Sequence, residues 1–368
     1  MIAQIRFPIV FMLVFLLGFS TSASAVVVKD LYAAEVSVSS RSQSDFKDGL
    51  KRAMARVIAK VSGLPESAVL SEPRLAVDLD QASRWVVQYS YVAEKPVKRS
   101  VGNNDKSVAE EPQLQLKARF SEVQVNSLLQ RAQLKFWPAD RPEALVIPVL
   151  SRQGSRDFAT ADPMVQKAIK DAAFQYGIPV VMPDELTETS LPLDEAWFWN
   201  VDIVRQAATM QPHDAVLLAR ISESVGDGNP FYRGGWLLIE GENTTRIDMQ
   251  ATSLEQFFDQ GFRWAAGIWA RKYSVTLRSS GNETLMVVQH VNTAADYQAV
   301  IGFLENLDVV KSVFLLQAKS TQLELALELK TGVEQFQRLL TLQPDLQPLE
   351  SSDFNLLQYQ WRATKPSH

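Results

Sequence analysis

Uninterrupted apolar runs and helix-spaced apolar residues take turns through the middle of this chain. Ala144-Leu145-Val146-Ile147-Pro148-Val149-Leu150, Ile178 to Met182 and Ala215 to Ala219 lack polar alternation, the pattern of strands buried on both faces. Between the first two, Val165, Ala168, Ile169, Ala172 and Tyr176 recur at helical spacing. Asp162 stands at the cap of that segment, Pro163 at its first position and Gly177 at its end, which predicts a helix over 163–176. A helix crossing between two buried strands predicts a parallel βαβ unit. Ser151 to Asp162 reads as a polar loop, Glu185 to Glu195 as an acidic connection and Val225 to Pro230 as a turn. Trp236–Ile239 and Thr245–Gln250 predict a hairpin around Glu240-Gly241-Glu242-Asn243. A long helix capped by Ser253 follows, with Leu254, Phe257, Phe258, Gly261, Phe262, Ala265 and Ile268 on one face and Trp264 and Trp269 on the other.

Upstream, Leu31 to Ser39 alternates as a strand, and Phe46, Leu50, Met54, Val57, Ile58 and Val61 predict an amphipathic helix. Ser42 or Ser44 caps it, and Gly63 with Pro65 stops it. Trp85, Val87, Tyr89 and Tyr91 predict a second strand on one face, and Leu114, Leu116, Ala118 and Phe120 a third. The polar stretch Ala93 to Pro112 reads as a long hairpin tip. Val125, Leu128, Leu129 and Ala132 mark a closing helix. Downstream, strands from Leu285, Val309 and Gln322 and helices marked by Val300 and Phe336 give β-α-β-β-α-β, the ferredoxin-like order. Phe354 to Trp361 is expected to add an edge strand.

The class is thus α+β with an α/β middle: three small modules in series at 26–136, 137–278 and 282–361, with a short tail at 362–368. Residues 1–25 read as a secretory signal. Arg6 gives the basic start, Pro8 to Phe19 an apolar core about 18 Å long as a helix, and Ala23-Ser24-Ala25 a small-residue cleavage pattern before Val26. That core is too short to cross a bilayer comfortably. A periplasmic protein without a membrane span after signal removal is therefore expected; the alternative is an uncleaved anchor, which leaves the same modules outside the cytoplasm.

Composition narrows the chemistry. The chain has 368 residues, a formal charge of −5 and no cysteine, so disulfides and thiolate sites are excluded. Removing Arg6 makes it one unit more negative, which argues against nucleic acid as a partner. His213, His290 and His368 lie far apart, without a metal-ligand or catalytic spacing. No cofactor loop is present, and the chain reads as non-enzymatic with neither cofactor nor metal. Trp197, Phe198 and Trp199 are candidates for partner binding, because three adjacent aromatics cannot all face one core; plugging a module junction is the plainer role for such a cluster. Envelope proteins are the expected partners. The alternative is a glycan-binding protein or wall hydrolase acting on peptidoglycan, using Glu185, Glu188 or Glu195 beside these aromatics.

Four signatures resemble the proteobacterial envelope family called domain of unknown function 2066. They are the Ala53–Gly63 helix end with Val61-Ser62-Gly63, the Val87, Tyr89, Tyr91 strand, Trp137 followed by Arg141-Pro142, and Val216-Leu217-Leu218-Ala219-Arg220 followed by Trp236. Where that family has glycine after the tryptophan, this chain has Pro138. The first module is similar to the N-terminal domain of flagellar assembly protein T. The second is similar to the α/β domains of curli-secretion and TolB-type proteins. The resemblance implies secretion and protein binding, and it transfers no catalytic residue.

Overall fold

A computed structural model describes residues 26–28, 30–93, 114–226, 229–278, 282–349 and 356–362. The residues of the expected signal, including Ala23 and Ala25, lie outside the described residues, as do most of the expected 93–112 tip and His368. Val26 opens a two-residue strand, β1 (Val26–Val27).

In the first module, β2 (Ala33–Val38) leads into α1 (Gln43–Ser62). Ser42 caps α1 by accepting from the Asp45 N–H, and Gly63 ends it with a left-handed φ of 72°. Two short helices, α2 (Glu66–Ser71) and α3 (Ala76–Asp80), lead to β3 (Val86–Ala93). β4 (Leu114–Phe120) and α4 (Glu122–Arg131) complete the unit. The sheet order is β2-β4-β3, all antiparallel. A register shift between Val86 and Gln88 leaves Val87 63% exposed. Val87 therefore departs from the expected one-face alternation, because a bulge in an edge strand turns its side chain away.

The middle module begins with β5 (Lys135–Phe136) and β6 (Asp140–Arg141), then β7 (Ala144–Arg152) and β8 (Ser155–Phe158). The expected 151–162 loop is a hairpin instead. Gln153 and Gly154 both take positive φ, the two-residue turn that matches strand twist. α5 (Pro163–Tyr176) crosses to β9 (Val180–Val181), parallel to β7. The acidic connection folds as α6 (Glu185–Ser190) and α7 (Leu193–Trp197), followed by α8 (Val201–Ala208). Asp184 caps α6 by accepting from the Thr187 N–H, so acidic residues that look like loop serve at helix starts. β10 (Ala215–Gly226), β11 (Asn229–Glu240) and β12 (Asn243–Ala251) extend the sheet in the order β12-β11-β10-β7-β8, with β9 also on β7. β10 and β11 run on to Gly226 and from Asn229, so most of the expected 225–230 turn is strand.

β7 is parallel to β10, in the buried centre of this sheet. Pro148 is tolerated there because its missing N–H falls between β9 and β8, where its carbonyl accepts from Ala159. One sheet face packs on α5 and α9 (Leu254–Tyr273). The other carries a smaller separate core of Leu145, Ile147, Val149, Val216, Leu218, Leu237 and Ile239 under α6 to α8.

β13 (Val275–Thr276) pairs back to β5. The third module follows with β14 (Asn282–Gln289), α10 (Ala294–Asn306), β15 (Val310–Lys319), β16 (Gln322–Leu329), α11 (Val333–Leu340), β17 (Leu346–Pro348) and β18 (Leu356–Trp361). Its sheet order is β15-β16-β14-β18-β17. The ferredoxin-like course is present, with one correction. β18 is not at the edge: it lies parallel to β14 and antiparallel to β17, wedged between them. Leu357, Tyr359 and Trp361 are buried, and an edge strand buries less than that alternation offers.

Candidate functional site: an arginine–tryptophan groove

The helical cover over the smaller core stops before the strands do. Beyond it, on the same sheet face, register aligns Phe158, Val149, Arg220, Gly235 and Asp248 across five strands. The next row holds Arg156, Ser151, Ser222, Arg233 and Gln250. These rows lie at the carboxyl ends of the parallel strands β7 and β10, where open α/β sheets place their ligands. An open groove of about 480 Å³ results, lined by Trp197, Arg220, Ser222, Arg233, Asp248 and Gln250.

Of the three candidate aromatics, Trp197 lines the groove. α7 ends at Trp197, and Trp199 adopts a φ of 59°, a left-handed conformation that bulky residues rarely take and that costs about 1–2 kcal/mol. The kink separates the rings. Trp197 and Trp199 turn inward against the smaller core, while Phe198 stays 68% exposed. All residues of that core belong to the middle module, so the cluster does not plug a module junction. Gly235 gives Trp199 its seat, since a Cβ there would come within 3.0 Å of the indole edge and 2.5 Å of the Ile247 carbonyl.

Cations lie over these rings. The Arg220 guanidinium is 4.2 Å from the Trp199 centroid and 5.8 Å from that of Trp197. Arg156 is 4.7 Å from Trp197 and 5.3 Å from Phe198, and it also pairs with exposed Asp194 at 2.9 Å. Among the described residues neither Arg220 nor Arg233 forms an ion pair; Arg220 makes only a long 3.5 Å contact to the Trp197 carbonyl. A stacked guanidinium keeps its in-plane N–H edge free, so it is held ready for a flat anion such as carboxylate.

The acidic residues named above are elsewhere. Glu188 accepts from the Thr160 hydroxyl, Glu195 accepts from Asn200 at 2.8 Å, and none of Glu185, Glu188 and Glu195 lines the groove. The groove's own carboxylate is Asp248, on the edge strand β12. His213 contacts the Gln211 carbonyl at 2.8 Å, and His290 is exposed with a φ of 64°. Among the described residues no group of three or more metal-ligating side chains comes together, and no helix is long and apolar enough to cross a membrane. Sequence pattern did not single out Arg156 or Arg233, and Arg220 entered only as the end of the Val216–Arg220 signature. Arg220 has one linear signal, a charge closing an apolar run.

The family model of a domain of unknown function (DUF8605) matches residues 25–138, a span that covers the first module and ends before the groove. No curated protein and no solved structure matches the chain.

Proposed function

We propose that this protein is a non-enzymatic interaction protein of the bacterial cell envelope, and that the arginine–tryptophan groove is where it receives a partner. One observation carries the reading: Phe198 is exposed next to Trp197, and the groove that Trp197 lines holds two guanidiniums, Arg220 and Arg233, that lack a carboxylate partner among the described residues. Buried-edge aromatics and arginines are the residue types that dominate binding energy at protein interfaces. Export is supported by the n-region, apolar core and Ala23-Ser24-Ala25 pattern of residues 1–25. The resemblance to the domain of unknown function 2066 family supports the same compartment, and the likeness of the modules to flagellar assembly protein T and TolB-type domains supports protein binding. The first is an analogy of sequence and the second of fold, and fold alone does not fix a task.

The test is photo-crosslinking in cells. The full chain would carry a photoreactive residue at position 198 or, as a control, at exposed Val77 of the first module. The expected result is a discrete adduct from position 198 alone, in the periplasmic fraction, on a chain whose N-terminus reads Val26. Absence of any position-198 adduct would remove the groove from the reading, and an intact cytosolic chain would remove the compartment.

A further inference from the structure

We infer that the groove selects an extended acidic peptide segment, whose carboxylates bridge Arg220 and Arg233. This rests on the reading of the groove as a docking site and names the chemistry of its occupant.

The spacing comes from register. Arg220 lies opposite Gly235, and Arg233 lies opposite Ser222, so the two arginines are diagonal neighbours on one sheet face. Such neighbours are about 7–8 Å apart at their backbones. In an extended chain, side chains two residues apart point the same way at about 6.6–6.8 Å. Two acidic residues in an i, i+2 relation therefore match the two guanidiniums within the reach of a long side chain. The intervening residue of such a segment points away from the sheet.

The floor suits a main chain. Gly234, which lines the groove, carries no side chain, and Ser222 and Gln250 offer neutral hydrogen-bonding groups beside Arg233. Asp248, which makes no hydrogen bond or ion pair among the described residues, can accept from a peptide N–H. The same residues disfavour a sugar platform. Stacking a pyranose needs a free ring face, whereas guanidiniums already lie over Trp197 and Trp199. They also disfavour a basic partner, which would meet Arg156, Arg220 and Arg233 together.

The experiment uses the purified mature chain and a fluorescein-labelled hexapeptide of alternating glutamate and valine, followed by fluorescence anisotropy. Peptides with glutamine or lysine in place of glutamate serve as controls, and polygalacturonate as an anionic glycan competitor. Expected are binding that weakens as salt approaches about 0.15 M, where the Debye length is about 8 Å, and no binding of the lysine peptide. Arg233→Glu should lower affinity by about tenfold or more, the usual weight of a charge-assisted hydrogen bond. Arg233 is solvent-exposed, so this variant is expected to keep the wild-type melting temperature, while Arg220→Ala can loosen the tryptophan wall. Equal binding of glutamate and glutamine peptides, an unchanged affinity in Arg233→Glu, or equally strong binding of polygalacturonate would each overturn the inference. A position-198 adduct obtained alongside any of these results would leave the docking site standing and discard only its acidic-peptide specificity.

Discussion

Among the described residues Arg141 forms no ion pair, yet it is fully buried and makes five hydrogen bonds, all to main-chain carbonyls. It donates to Pro138, Tyr176, Gly177, Lys60 and Trp137 at 2.9–3.0 Å and stacks 3.7 Å from the Trp137 ring. Burial pushes its pKa down to about 9, which leaves it charged at neutral pH. Its fork gathers the end of α1, the linker and the end of α5, so one side chain ties two modules. Arg141→Met would strip those carbonyls of a partner in a dry site, and a loss of about 3–5 kcal/mol is expected in urea denaturation. Arg141→Lys should recover little of it, because an ammonium lacks both the planar fork and the stack. Two neighbours titrate. Lys60, held 4.1 Å from the Phe174 centroid and donating to the Ala33 carbonyl at 2.8 Å, has its amine pushed down to about 7 by burial first and Arg141 second. From pH 7 to about 10.4 the unfolded chain holds the extra proton, so stability rises with pH across that window. Below pH 7 the full cost of a buried ammonium weighs on the fold. Asp140 is pushed up to about 6 by burial first and Asp308 second. There the native state holds the extra proton between about pH 3.9 and 6, so its contribution is greatest in acid and is lost as pH climbs through 6. Urea midpoints of the wild type should carry both slopes. Lys60→Met should flatten the first and Asp140→Asn the second, each by a few kcal/mol at about 1.4 kcal/mol per tenfold change in proton affinity.

At the scale of elements, α9 docks on β11 through a glycine. A Cβ on Gly261 would lie 2.1–2.6 Å from the Trp236 indole, which stacks on Phe257 and meets Phe258 and Phe262 edge-on at 5.5–5.9 Å. Gly261→Ala should therefore push the helix off the sheet and cost about 1–3 kcal/mol in thermal unfolding. Gly267→Ala in the same helix has only ordinary contact with Arg271 at 3.6 Å and should be neutral or add up to about 1 kcal/mol through helix propensity. Opposite signs in one helix would separate close packing from propensity. Such a close approach is only half visible in the chain itself. The apolar stripe of α9 and the runs of β7 and β10 are legible, because period and burial are written in the same residues. What partners those faces is not. Leu357, Tyr359 and Trp361 announce a strand by their alternation, but its place between β14 and β17 depends on which sheet edge is still open when the chain returns. The helices α6 to α8 were masked by short length and acidic first turns. The groove was hidden for a third reason: Arg220 and Arg233 are thirteen residues apart, and only the β10–β11 register makes them neighbours. Trp197 to Trp199 could be suspected from composition, whereas their cationic partners required the pairing.

For the molecule as a whole, the modules read from the sequence do not behave as beads. Their apolar interiors form one continuous core that includes Leu50 and Ile58 of the first, Phe257 and Trp269 of the second, and Phe336 and Leu340 of the third. Short strands stitch the seams: Val26 pairs with Arg141, and Phe136 with Val275. Polar contacts close the third module on the others. Ala139 N–H donates to Asp308 at 2.9 Å, Arg278 N–H to the Lys330 carbonyl at 2.8 Å, and Thr276 N–H to Gln335 at 3.3 Å. Interfaces of this apolar kind couple the stabilities of the parts they join, whereas thin polar ones leave domains to melt alone. A single unfolding transition is therefore expected, with far-UV circular dichroism and tryptophan fluorescence giving the same midpoint. Trp85 reports the first module, Trp137 and Trp269 the second, and Trp361 the third. Asp308→Ala removes one seam bond to the Ala139 N–H, and about 1–2 kcal/mol is expected for that loss. If the modules are coupled, this variant lowers the midpoint of both signals together. If they are independent, Trp361 departs from the remaining signal, and a Trp361→Phe background identifies which part has moved.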